Sequence, residues 1–358
     1  MQNPFFTFNA AAEELENIKK MRVDREVELQ DCITALVGRH HNILLYGERG
    51  AGKTFLLRVL ENELSERHKN IHASLVSLGS LGLYGQQDDL SAFPRAVLLQ
   101  LCRDLWTKVV GKSYLDLKER LEETGQEITL RNNDEIAIQR VYTHLMAHDT
   151  ASRRKLSNSV GFSAIAKGEK SEERYVDTKQ FDLLPFEFGE YTEELRKAVL
   201  LPRGITKVVL LCDEANHMSV FRQELLLEKY LELFGQKRVQ FLFVAGQANW
   251  LENDFLPCCF ETTIELKGFS EKSNAVELIN KVNTTSITFS TESIDTVYEA
   301  FKGHPRLTLM TCAKAFDYAC EIGESQITAS TVFKALRDVG QERRRWNEMA
   351  KRREVSQS

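Results

Sequence analysis

Several features are missing from this 358-residue sequence, and each absence narrows the reading. There is no C-x-x-C pair among the seven cysteines, at 32, 102, 212, 258, 259, 312 and 320. An odd number of cysteines, mostly inside apolar runs, argues against a disulfide framework and for core thiols in a reduced, cytoplasmic setting. Cys258-Cys259 is the one adjacent pair, but the eight histidines are scattered, so no metal cluster is expected from them. No apolar run approaches the roughly eighteen residues that a membrane span needs. The first residues, Met1 to Phe6, show no basic stretch leading into a long apolar core, so no secretory leader is expected there. Positive charge is not in excess either: the net charge is −5, which excludes a global nucleic-acid footprint and leaves only local patches. No internal repeat is visible. What remains is 42% hydrophobic and 28% charged, a globular composition long enough for one large or two ordinary domains.

The most informative stretch is Gly47-Glu48-Arg49-Gly50-Ala51-Gly52-Lys53-Thr54. An apolar run, 43–46, precedes it, and an amphipathic run beginning at Phe55 follows. Strand, glycine loop and helix form the context of a phosphate-binding loop. The glycines allow successive backbone N–H groups to converge on phosphate oxygens. The helix start aims its positive end at the same place. Lys53 reaches the terminal phosphates, and the Thr54 hydroxyl is a candidate Mg²⁺ ligand.

The surrounding pattern is α/β. Strands are expected at 42–46, 71–78, 207–214, 239–246 and 260–266, with helices at 10–20, 25–37, 52–67 and 220–234. Asp24 is the expected N-cap of the second helix, with Glu26 and Glu28 in its first turn. Residues 80–200 interrupt the rhythm with helices at 91–110 (interrupted by Pro94), 134–148 and 181–200. A Ser/Gly/Lys-rich hairpin or loop is expected at 151–174. This insertion reads equally as surface decoration or as a partner or DNA loop. Beyond residue 267 only helices are expected, at 271–282, 292–301, 305–322 and 328–337. The expected organisation is an α/β domain over 1–266, a helical lid over 267–338 and a basic tail over 339–358 containing Arg343-Arg344-Arg345-Trp346 and Lys351-Arg352-Arg353.

Four further positions complete a nucleotide chemistry. Asp213 ends a strand of apolar residues and can hold Mg²⁺ opposite Thr54. Glu214 beside it can polarise an attacking water. Gln247 ends the neighbouring strand and can orient that water, with Asn249 as the alternative. Arg306, in Gly303-His304-Pro305-Arg306, can reach the γ-phosphate from the helical region, while Pro305 suits a first helical position.

Taken together, these pieces resemble the AAA+ and STAND-type P-loop ATPases, closest to the branch of origin-recognition-like initiators and related archaeal-type ATPases. The resemblance covers about residues 20–338. It rests on Val23-Asp24-Arg25-Glu26-x-Glu28-Leu29, the loop 47–54, Asp213-Glu214, the strand ending at Gln247, and Gly303-x-Pro305-Arg306. It implies an AAA+-like parallel sheet with a helical lid, ATP and Mg²⁺ as ligands, and a homo-oligomer or protein partner. It places Val23 to Glu26, with Arg25, beside the adenine. It makes Gln247 a first sensor and Pro305-Arg306 part of a second, and it counts Phe55 with the loop. No arginine lies in 249–259, where many relatives carry a trans-acting finger. Arg203, Arg222 and Arg238 are substitutes that the spacing does not rank. Because such a finger contributes ~10³ or more in rate, its absence there points to slow or partner-stimulated hydrolysis. Within residues 339–358 no winged helix like that of the replication initiators is expected.

Three readings stay open on the sequence. One is an ATP-driven switch or assembly ATPase. Another is a DNA-binding adaptor of the transposition, mobile-element or phage-defence kind, with ATP a structural ligand and DNA held by the basic tail or the insertion. The last is a scaffold with a vestigial pocket.

Overall fold

The computed structural model describes residues 3–5, 21–77, 92–113, 133–153, 185–213, 239–245 and 259–355. The expected helices at 10–20 and 220–234, the hairpin beyond residue 153, and Glu214, Gln247, Asn249, Arg222, Arg238 and Cys258 lie outside these residues.

Five parallel strands form the central sheet: β1 Ile43–Tyr46, β2 Ile71–Ser77, β3 Lys207–Asp213, β4 Val239–Ala245 and β5 Thr262–Glu265, in the order β2-β3-β4-β1-β5. Every residue of β3 and β4 is buried. Their continuous apolar runs follow from that, since a parallel strand covered on both faces has no solvent side to make polar. Alternation along the strands then distributes side chains between two layers. Val208, Leu210, Cys212, Phe241 and Phe243 enter one cluster, and Val209, Leu211, Leu242 and Val244 enter the other.

The second cluster is closed by α1 Glu26–Ile33, the turns Thr34–Arg39 that continue it, and α2 Lys53–Arg67, which supply Leu29, Leu36, Leu56, Leu57 and Leu60. The first is closed by α3 Ala92–Asp104, α4 Asn133–Arg153 and α5 Pro185–Leu195, with the turns that continue α3 and α5. Trp106, Tyr142 and Phe188 are fully buried there. The described helices of the 80–200 region are therefore not decoration. They are the apolar layer over one whole face of the sheet, and each large side chain buried there contributes roughly 1.5–3 kcal/mol.

Two local expectations are corrected. Pro94 does not interrupt a helix; α3 begins at Ala92, so the proline sits in the first turn, where amide hydrogens lack helical partners anyway. Asp24 is not the N-cap of α1. Arg25 holds that position without a side-chain cap, and Asp24 takes a left-handed φ of 48°.

After β5 come α6 Lys272–Val282, β6 Thr288–Phe289, α7 Thr291–Phe301, α8 Pro305–Ile322, β7 Gln326–Ile327 and α9 Ala329–Val355. The four helices bury a core of Leu278, Ile279, Val297, Phe316, Ala319 and Val332, beside a two-stranded ribbon of β6 and β7. Phe5 and Val23 join this core, and Phe5 meets Phe289 and Phe316 edge-on at 5.7 and 6.3 Å. The expected α/β architecture with a helical lobe is thus the one observed. The last helix differs from expectation: it runs unbroken to Val355 instead of ending near 337, so the basic tail is a continuation of α9.

Candidate functional site

The site forms where the carboxyl ends of β1 and β3 meet the amino end of α2 and the start of α8. In the loop, Gly47, Gly50 and Gly52 take φ values of 153°, 94° and 98°. Two of these glycines are required by neighbours as well as by backbone conformation. A Cβ on Gly47 would stand 2.3 Å from the Leu266 carbonyl oxygen, and one on Gly50 would stand 2.7 Å from Arg306 Cβ. The loop is therefore packed between the end of β5 and the first turn of α8.

Lys53 opens α2. Its ammonium donates to the Gly47 and Glu48 carbonyl oxygens, both at 2.7 Å, so it lies across the loop. Burial lowers its pKa to about 8, against the opposing pull of Asp213 and Glu48. Thr54, next on the helix, donates its hydroxyl to Asp213 Oδ2 at 2.6 Å. Asp213 is buried at the end of β3. A hydroxyl and a carboxylate side by side are hard oxygen donors, suited to a Mg²⁺ that keeps most of its shell for water and phosphate. Among the described residues no group of three or more His, Cys, Asp or Glu could hold a metal by itself.

The lid approaches from the other side. Lys302 and Gly303 take left-handed φ values of 46° and 74°, which turn the chain sharply out of α7. His304 then caps α8, and Pro305 occupies its first turn, as expected. His304 Nδ1 accepts from the Leu307 amide at 3.3 Å, and Nε2 lies 3.1 Å from the Arg49 carbonyl oxygen. The Arg306 amide donates to the Gly50 carbonyl at 3.4 Å. Burial, and then the charge of Arg49, lower the pKa of Arg306. Arg49, Lys53 and Arg306 thus bring positive charge to one loop, which a polyphosphate would neutralise.

Arg25 takes up a part that its position in the sequence does not suggest. It is buried, and it donates from Nη2 to the Ala51 carbonyl at 3.1 Å and to the Lys267 carbonyl at 2.7 Å. It pairs with Glu28 at 3.0 Å and lies over the Phe269 ring at 5.4 Å. One guanidinium therefore ties the loop to the hinge between β5 and the lid. Val23, expected beside it at the adenine, is buried in the lobe core. Phe55 is half-buried against the α1–α2 layer.

Of the residues expected at the site, the structure brings together Gly47 to Thr54, Asp213, Pro305 and Arg306. Glu214 and Gln247 lie outside the described residues and follow directly in sequence on, or two residues beyond, Asp213 and Ala245. Arg203 is engaged elsewhere, donating to the Val199 carbonyl and to Asp134 at 2.7 and 2.6 Å. His304 and the strut formed by Arg25 were not anticipated. His304 is the unspecified position of the Gly-x-Pro-Arg run, so the motif gives no sign of its contact with the loop.

No protein-family model matches the chain, and no curated protein matches it by sequence. Solved structures similar to it include the RuvB Holliday junction branch migration motor of Thermotoga maritima, at 15% identity and a TM-score of 0.40, covering 90% of this chain and 68% of that one. The ORC2 protein of Aeropyrum pernix, in ADPNP and ADP complexes, gives 12% identity and a TM-score of 0.44 over 87% of this chain and 67% of that one. Drosophila ORC bound to DNA gives 12% and 0.44 over 92% and 67%. These are likenesses of overall arrangement; the chemistry of the site rests on the distances above.

Proposed function

We propose that this chain binds ATP between the α/β domain (1–266) and the helical lid (267–338) and hydrolyses it slowly to ADP and phosphate, as a switch of the AAA+/STAND type. The observation that carries the reading is the junction at Gly50. The loop bearing Lys53 and Thr54, with Asp213 at its side, is in direct contact with the lid residues His304 and Arg306. A nucleotide bound there touches both bodies, so its γ-phosphate changes the free energy of lid closure.

In this reading Lys53 and Arg306 hold phosphate oxygens, and the loop N–H groups from Gly50 to Thr54 donate to the remaining ones. Thr54 and Asp213 would hold Mg²⁺, which would supply charge neutralisation on the β- and γ-phosphates. Glu214 takes a proton from the attacking water, and Gln247 orients it. Val23, Arg25 and Glu26 form the wall nearest the base. Lid movement alters affinity for a second copy of the chain or for a protein partner. The direct test is particle mass and phosphate release with ATP and Mg²⁺, with and without duplex DNA. Slow turnover with an ATP-dependent rise in mass is expected. Lys53→Ala abolishes both.

A second reading, the DNA-binding adaptor, is favoured by α9. This single helix carries Arg343, Arg344, Arg345, Lys351, Arg352 and Arg353 out to Val355. At about 1.5 Å per residue its 27 residues span roughly 40 Å, and these six basic positions fall in its carboxyl-terminal half. Binding to duplex DNA that weakens steeply with salt, and that is lost on removing residues 343–353, supports it. Among the described residues no helix is long and apolar enough to cross a membrane.

A further inference from the structure

We infer that His304 is a positioning residue through which the lid sets the orientation of the phosphate loop's own peptides. The inference rests on the nucleotide reading above only for its consequence, not for the contact itself.

The hydrogen bonds of His304 determine its protonation. Leu307 N–H can only donate, so Nδ1 must present a lone pair; the Arg49 carbonyl can only accept, so Nε2 must carry the proton. The ring is therefore the neutral Nε2–H tautomer, with one nitrogen finishing α8 and the other reaching the loop. It is buried, with the Glu48 carboxylate 3.8 Å from Nε2. Arg49 on the loop and Arg306 on its own helix are the cations beside it.

The contact acts on a specific peptide unit. In a trans peptide the C=O and the following N–H lie in one plane and point in opposite directions within it. Holding the Arg49 carbonyl toward the lid therefore turns the Gly50 N–H away from the lid. The next unit is held in the same way, because the Arg306 amide donates to the Gly50 carbonyl. Two successive loop peptides are thus oriented by two successive features of the α8 start. Gly50 has no side chain to keep them apart: any Cβ would fall 2.9 Å from His304 Cε1. At φ 94°, with no Cβ, Gly50 can rotate once these bonds are released. Lid opening therefore disorders the amides of a phosphate site as well as removing Arg306, and loop order in turn favours a seated lid.

The test separates the two halves of the imidazole. His304→Asn keeps an N-cap acceptor but is too short to reach Arg49. His304→Gln keeps a reaching donor but caps poorly. Hydrogen exchange of the full chain without nucleotide is read at 49–54 and at the first turn of α8, followed by ATP affinity. For His304→Asn the expected result is wild-type protection in α8, exchange about tenfold faster at 49–51 and ATP affinity lowered about tenfold. For His304→Gln the pattern reverses, with a frayed α8 start and a protected loop. Loop exchange in His304→Asn equal to wild type overturns the inference. If loop exchange rises while the wild-type chain binds no ATP, the coupling stands and the nucleotide reading falls.

Discussion

The Thr54 hydroxyl donates to Asp213 Oδ2 across 2.6 Å, joining the first turn of α2 to the end of β3. These residues are 159 apart in sequence; Asp213 is the polar end of a buried apolar strand, and Thr54 is the second residue of the helix that follows the loop. Replacing Asp213 with Asn preserves shape and a hydrogen-bonding partner for Thr54 but removes the charge. Mg²⁺-dependent ATP affinity is expected to fall by about 10- to 100-fold with the thermal midpoint little changed. Titration of the variant with ATP, with Mg²⁺ and with chelator, checks this; equal affinities in wild type and variant count against Asp213 as a metal-side group.

Lys53 makes the site sensitive to alkaline pH. Its pKa is lowered to about 8 by burial, whereas beside bound phosphates the ammonium form is favoured. The free site loses its charge as pH rises through about 8, and binding must then restore the proton. ATP affinity is therefore expected to be flat below pH 7 and to fall by up to about tenfold per unit well above 8. Calorimetry in buffers of different ionisation enthalpy should show proton uptake on binding at pH 8.5 and little at pH 6.5. Lys53→Arg should remove that uptake, since a guanidinium stays charged throughout.

The lid's approach depends on glycine. A Cβ on Gly303 would stand 2.5 Å from the Phe269 carbonyl oxygen, and its φ of 74° is unfavourable for any side chain. Phe269 N–H also donates to the Gly303 carbonyl at 2.9 Å, so the two backbones cannot separate without losing that bond. Gly303→Ala should destabilise the helical lobe by roughly 1–3 kcal/mol, read as earlier denaturant unfolding. A surface control such as Lys334→Ala should lie within about 0.5 kcal/mol of wild type.

Thiol chemistry tests the packing. Cys32, Cys102, Cys212, Cys259 and Cys312 are buried, and Cys320 is exposed. Burial pushes the Cys32 thiol up to about 12 and raises those of Cys102, Cys212 and Cys312 as well. A thiol reagent at neutral pH should label Cys320 rapidly and the five buried thiols only after unfolding. Peptide mapping after a short pulse reads this; rapid labelling at Cys102 or Cys212 contradicts the apolar layer between the sheet and α3.

The sequence made the centre of the site legible because its chemistry is local. Glycines at 47, 50 and 52, a lysine and threonine opening a helix, and Pro305 after Gly303 each express a backbone requirement within a few residues. Asp213 was legible because a fully apolar strand announces where its polar end must emerge. The rest depends on distant partners. The acceptors of Arg25 are 26 and 242 residues away, so its place in Val23–Glu26 gives no sign of a strut. Helices 92–109 and 185–200 looked like an insertion because they interrupt the strand–helix rhythm. Their apolar faces do not say that they cover a sheet whose third strand comes only at Lys207. The end of α9 was misplaced because its polar continuation lacks the apolar spacing that marks a packed helix.

The measurement that most directly tests the account is the nucleotide recovered from purified chain after incubation with ATP and Mg²⁺, for wild type and Glu214→Gln. The account predicts mostly ADP on the wild type, with slow release of phosphate, and intact ATP retained on the variant. Phosphate release by Glu214→Gln at the wild-type rate, or no nucleotide on either protein, would contradict it.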